Sequence, residues 1–123
     1  MLSPLAYGLA TVLDLFIIFI GARFLIAPVT AAAGYGVPAK PGGDAAYLAV
    51  KGVRDVSLGI AGLALLVFVG AQAGAWLMLA AALEPLGDMV IVLRHGGTKA
   101  VAFGIHLATA VVVLISAALL FAL

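Results

Sequence analysis

The 123-residue sequence contains no cysteine, so disulfides, thiol redox chemistry and thiolate metal sites are excluded, and cysteine usage leaves the compartment open. Charge is almost as scarce. Six Lys or Arg and five Asp or Glu make up 9% of the chain, where a soluble domain carries about a quarter. With 67% hydrophobic residues and a mean hydropathy of +1.36, this composition does not describe a water-soluble globule. No low-complexity tract is present, which excludes disordered and fibrous classes. A formal net charge of +1 offers no basic face to nucleic acid. The solvent that suits this chain is lipid.

A bilayer-spanning helix needs about 20 mostly apolar residues. The chain holds four such stretches, at 5–27, 47–70, 75–93 and 98–122, and one substantial loop at 28–46 that is rich in Gly and Pro and carries Lys40 and Asp44. The first stretch closes at Pro28, which cannot continue the helical ladder. A signal peptide is the competing reading of that stretch, but no Lys or Arg precedes it and Asp14 interrupts it. The connections after the second and third stretches are very short, so consecutive helices are antiparallel neighbours. The expected fold is all-α: an integral membrane four-helix bundle of up-down-up-down topology, forming a single transmembrane domain. Gly59 and Gly62 remove bulk from one side of the second helix and invite a close neighbour, and Trp76 suits an interfacial anchor.

Positive charge sets an expected orientation. Arg23, Lys40, Lys51, Arg54, Arg94 and Lys99 all fall at or towards the side that carries the 28–46 loop, and none falls on the other. The positive-inside rule then places the loop in the cytoplasm and both termini outside it, in a multi-pass cell-membrane protein.

The ionisable residues are not scattered in depth. Asp14 and Glu84 lie near mid-membrane, while Arg54, Asp55, Asp88 and His106 lie one to two turns in from the loop-side ends of their helices. A charge in hydrocarbon costs about 2.5–3.5 kcal/mol on insertion scales, so such groups face the interior or a wet cavity. Phase agrees: Glu84, Asp88 and His95 share a side of the third helix, Lys51 and Asp55 a side of the second, Lys99 and His106 a side of the fourth. Asp14 and Arg23, nine apart, fall on opposite sides of a straight helix and are not paired. Pro85, between Glu84 and Asp88, removes an amide and kinks or opens the helix, which a membrane tolerates only beside protein or water. The segment therefore marks the floor of a loop-side pocket.

Asp14, Glu84, Asp88 and His106 are the candidates for moving protons. Arg23, Arg54, Asp55, Arg94 and His95 are the candidates for holding a ligand. The competing reading is structural, with Arg54, Asp55, Asp88 and Arg94 forming an ion-pair network that fixes helix register. No two histidines have helical ligand spacing and no thiolate exists, so no metal is assigned. No cofactor is assigned either, since no glycine-rich phosphate loop is found, and no nucleophile elbow supports a hydrolase.

The runs Gly21-Ala22-Arg23-Phe24-Leu25-Ile26-Ala27-Pro28, Lys51-Gly52-Val53-Arg54-Asp55, Pro85-Leu86-Gly87-Asp88 and Leu93-Arg94-His95-Gly96-Gly97 together resemble the small four-helix membrane proteins grouped as domain of unknown function 4267. More distantly the chain is similar to the DoxX-like superfamily. The resemblance implies the bundle, and implies that Arg23, Arg54, Asp55, Asp88, Arg94 and His95 act together, without supplying an activity. The function expected from the residues is a membrane-embedded site for a small lipophilic or amphiphilic molecule, and, if it is an enzyme, cofactor-free proton transfer such as isomerisation, epoxide opening or cyclisation. The alternatives are a proton-coupled transporter working as a homo-oligomer, which Asp14 invites, and a structural or accessory membrane subunit. The expected surroundings are the lipid bilayer.

Overall fold

The computed structural model describes residues 1–123, and the chain is all-helical. Helix α1 spans Leu2–Ile26, α2 Pro28–Tyr35 and α3 Ala45–Phe68. Helix α4 covers Ala71–Arg94 but breaks at Ala82 into Ala71–Ala81 and Leu83–Arg94. Helix α5 covers Lys99–Phe121 and is π-helical over Ala102–Leu107. Three helices, α1, α4 and α5, are long and apolar enough to cross a membrane. Helix α3 has the length, 24 residues, but any 18-residue window of it includes Lys51, Arg54 and Asp55. Only 25 of 123 residues are buried, and large apolar side chains such as Phe16, Phe19, Ile60, Phe68 and Leu83 stand exposed. A surface of this kind is compatible with a membrane protein.

Helices α1 and α3 make the most extensive contact, and glycines set its closeness. A methyl on Gly21 would come within 2.6 Å of the Gly52 carbonyl, and one on Gly59 within 2.5 Å of the Asp14 carbonyl. Further along, the Asp14 carboxyl lies directly over Gly62. Residue numbers fall on one helix as they rise on the other, so the pair is antiparallel. This is the small-residue packing that membrane helices use where lipid supplies no hydrophobic drive. At the end remote from α2, α4 and α5 close over Ala6, Ala10, Leu66, Met78 and Leu120, with Trp76 edge-on to Phe121 at 5.0 Å between ring centroids.

Three local features differ from, or extend, what the sequence suggests. The 28–46 segment is not wholly loop: Pro28 ends α1 by denying it an amide, yet it also opens α2, because proline is suited to the first helical position. Gly36 closes α2 at φ 108°, a conformation that L side chains rarely adopt. In α4 the break falls at Ala82, next to Ala81, whose carbonyl Pro85 can neither bond nor clear. In α5 the π-helical stretch adds residues to the turn, so the seven-residue step from Lys99 to His106 no longer returns to the same side. Lys99 is exposed and His106 is buried, and the expected shared face is not formed.

Candidate functional site

A cavity of about 380 Å³ lies between α1, α2, α3, the second half of α4 and the π-helical part of α5. Its polar lining is Arg23, Lys51, Asp55, Glu84, Asp88 and His106, together with Tyr35. The Tyr35 hydroxyl donates to Asp88 Oδ1 at 2.7 Å. His106 Nε2 lies 2.7 Å from the Tyr35 carbonyl oxygen. A carbonyl only accepts, so Nε2 carries a proton and the other ring nitrogen is left facing Asp88 Oδ2 at 3.8 Å. The π-helical turn that carries His106 is a type of irregularity often found at functional sites.

Beside this pair, Lys51 Nζ donates to Asp55 Oδ2 at 2.9 Å. The same ammonium stands 4.9 Å from the Phe24 ring centroid and 5.4 Å from that of Tyr35. Aromatic faces and a carboxylate thus cage one cation. Tyr35 lies in α2, outside the long helices, and its ring tilts against His106 at 4.7 Å. Burial, then its hydrogen bond to Asp88 and the charges of Asp88 and Asp55, hold its hydroxyl well above the usual tyrosine range.

Asp14 is 4% exposed, and its Oδ2 has no hydrogen-bond partner. It lines a smaller cavity of about 80 Å³ whose wall, at Phe16, Ile17, Glu84, Pro85 and Thr109, is shared with the larger one. Glu84 also borders a third space, an outward-facing groove of about 500 Å³ between α3 and α4, which Arg54 and Ser57 line as well.

Of the residues singled out from sequence, Arg23, Asp55, Glu84, Asp88 and His106 line one cavity and Asp14 the adjoining one. Arg54 stands exposed on the outer groove. Arg94 and His95 do not join the site. His95 caps α4 with φ −109° and ψ 24°, its Nδ1 donating to the Ile91 carbonyl at 2.8 Å. The seven-residue spacing from Asp88 assumed a helix that in fact ends at Arg94, before the left-handed turn at Gly96. Sequence reasoning did not place Tyr35, Phe24 or Lys51 in the site. For Lys51 the signal was present in its four-residue step to Asp55, but Tyr35 reaches Asp88 and His106 across 53 and 71 residues, where no spacing rule applies. No group of three or more His, Asp or Glu side chains is arranged to hold a metal ion.

Residues 15–120 match the family described as a domain of unknown function, DUF4267. The chain belongs to the DUF4267 family. Within this DUF4267 protein the matched segment contains every residue that lines the larger cavity and begins one position after Asp14. No curated protein and no solved structure matches the chain.

Proposed function

We propose that this DUF4267 protein is an integral membrane four-helix bundle of up-down-up-down topology, with α2 and its loop on the cytoplasmic side and both termini opposite, and that it binds a small lipophilic or amphiphilic molecule. The observation that carries this reading is the 380 Å³ cavity in which five helices place ionisable groups against the apolar and aromatic walls of Phe16, Ile17, Ile20 and Phe24. Such a cavity offers an apolar body its walls and a polar head its charges, the usual division of labour in a small-molecule site. The unpaired guanidinium of Arg23 suits a carbonyl or anionic head group.

The chemistry this arrangement favours is proton exchange. A substrate held against Asp88 can lose a proton to the Asp88–His106 pair and regain it elsewhere, as isomerisation, epoxide opening or cyclisation requires, with the Tyr35 hydroxyl steadying the carboxylate. A second reading, proton-coupled transport, is favoured by one observation alone, the unpartnered and buried Asp14 carboxyl. A third, an accessory subunit whose polar cluster sets packing, draws on the Lys51–Asp55 pair.

The test is native mass spectrometry of protein purified in mild detergent, followed by melting in the presence of a total lipid extract. Ligand binding predicts a co-purifying small molecule that is lost in Asp88→Asn and a melting shift by the extract that the variant no longer shows. An Asp88→Asn protein that unfolds, with no bound mass in the wild type, favours the accessory role. Proton uptake in liposomes that disappears in Asp14→Asn favours transport.

A further inference from the structure

The groove between α3 and α4 presents a problem that the single chain does not solve. Arg54 and Glu84 both border it, both are exposed, and neither takes part in an ion pair, since the pairs present are Lys51–Asp55 and His106–Asp88. Arg54 lies nine residues from the start of α3 (54 − 45) and Glu84 ten from the end of α4 (94 − 84). At about 1.5 Å per residue each lies some 14–15 Å from the loop-side end of its own helix, and both line the one groove. Two opposite charges at one depth, facing hydrocarbon, are costly unless covered. The rest of the groove is Val53, Leu58, Leu77, Ala80 and Ala81, with Ser57 beside them, and its small residues allow a neighbouring helix to come close.

We propose that this groove seats a second copy of the chain, in a two-fold dimer whose axis runs along the membrane normal. Such an axis keeps every residue at its own depth, so Arg54 of each copy meets Glu84 of the other, twice, without any vertical offset. Other cations would not be so placed, because Lys51 is already held by Asp55 and Arg23 lines the inner cavity. Glu84 also borders the inner cavity, so Arg54 of the second copy lies behind the wall of the ligand site and sets the charge of that wall. The inference rests on the reading that α3 and α4 lie in the bilayer.

Charge reversal tests it by single-molecule photobleaching in phosphatidylcholine–phosphatidylglycerol vesicles over a range of protein-to-lipid ratios. Wild-type protein is expected to dimerise. Arg54→Glu alone places Glu against Glu at both contacts and Glu84→Arg alone places Arg against Arg, so each is expected to weaken self-association by at least about tenfold. Co-reconstituted, the two single variants recreate both opposite-charge contacts and are expected to form mixed dimers at wild-type levels. That mixing rescue cannot come from a pair within one chain. A wild type that is monomeric at every ratio overturns the proposal and leaves the groove to lipid, and so does rescue by the double variant in one chain but not by mixing. Resistance to alkaline carbonate extraction tests membrane embedding separately, so a failure of that reading is recognised as such.

Discussion

Replacing Gly62 with alanine adds one methyl group at the point where α3 passes under the Asp14 carboxyl, and the structure leaves it no room. The new Cβ would meet all three heavy atoms of that carboxyl. The helices cannot easily part, because they are in backbone contact at Gly21 and Gly52 and again at Gly59. The carboxyl has no hydrogen bond at Oδ2 to hold it and lines the cavity of about 80 Å³, so it can yield only by leaving its present rotamer and turning into that space. Overpacking of this sort costs about 1–3 kcal/mol, or roughly a 5- to 150-fold fall in the folding equilibrium constant. The assay is equilibrium unfolding by SDS in mixed micelles, followed by tryptophan fluorescence from Trp76. A double-mutant cycle with Asp14→Ala isolates the clash. Removing the carboxyl should make Gly62→Ala nearly harmless, giving a coupling of about 1–3 kcal/mol between two residues in contact. If Gly62→Ala is as stable as the wild type, or if the two changes add within about 0.5 kcal/mol, the close packing of Asp14 on Gly62 is refuted.

Two other outcomes follow from the cavity. Lys51→Met strands the Asp55 carboxylate, which is 2% exposed, and should cost towards the low end of about 3–5 kcal/mol because Lys51 itself is partly exposed. Lys51→Met combined with Asp55→Asn should recover much of that loss in the same unfolding assay. Tyr35→Phe should remove no tyrosinate absorbance at about pH 11, one unit above the ordinary value of about 10, because the buried hydroxyl stays protonated there. The sign for stability follows: the Tyr35 contribution is fully present below the unfolded-state value and is lost as pH rises above it, so the stability difference between wild type and Tyr35→Phe narrows in strong alkali.

What the sequence discloses here is what helical periodicity governs. Lys51 and Asp55 are one helical step apart and do pair. Gly59 and Gly62, one turn apart, do admit a neighbour, and Pro85 does break α4. Glu84 and Asp88, four residues apart, reach one cavity. The reading fails where periodicity stops. The face drawn through Asp88 and His95 runs off the end of α4, and the one drawn through Lys99 and His106 crosses a π-helical turn. Tyr35 was hidden for a different reason: Pro28 has two meanings, the end of one helix and the beginning of the next, and only the tertiary fold selects both. The partners of Tyr35 on α4 and α5 are chosen by folding of the loop-side segment over the cavity, which no local pattern records.

The π-helical stretch at Ala102–Leu107 makes α5 longer in residues than in reach. On either side of it the winding is regular, so the segment ending at Val101 and the one beginning at Ala108 keep separate accounts of which residues face inward. In an unbroken helix, the loss or gain of a single residue turns everything beyond it by about 100° and scrambles the packed face. Here the slack can absorb the loss of one residue, though not a gain. Gly104, which has no neighbour within 4 Å of where a side chain would begin, is the residue whose deletion the helix could take up by tightening to α geometry, leaving Ala110, Val113, Ala117 and Leu120 in register. The position that would pay is His106, which the slack holds in the cavity. A one-residue deletion within this stretch is therefore expected to spare the fold and to be felt by the site.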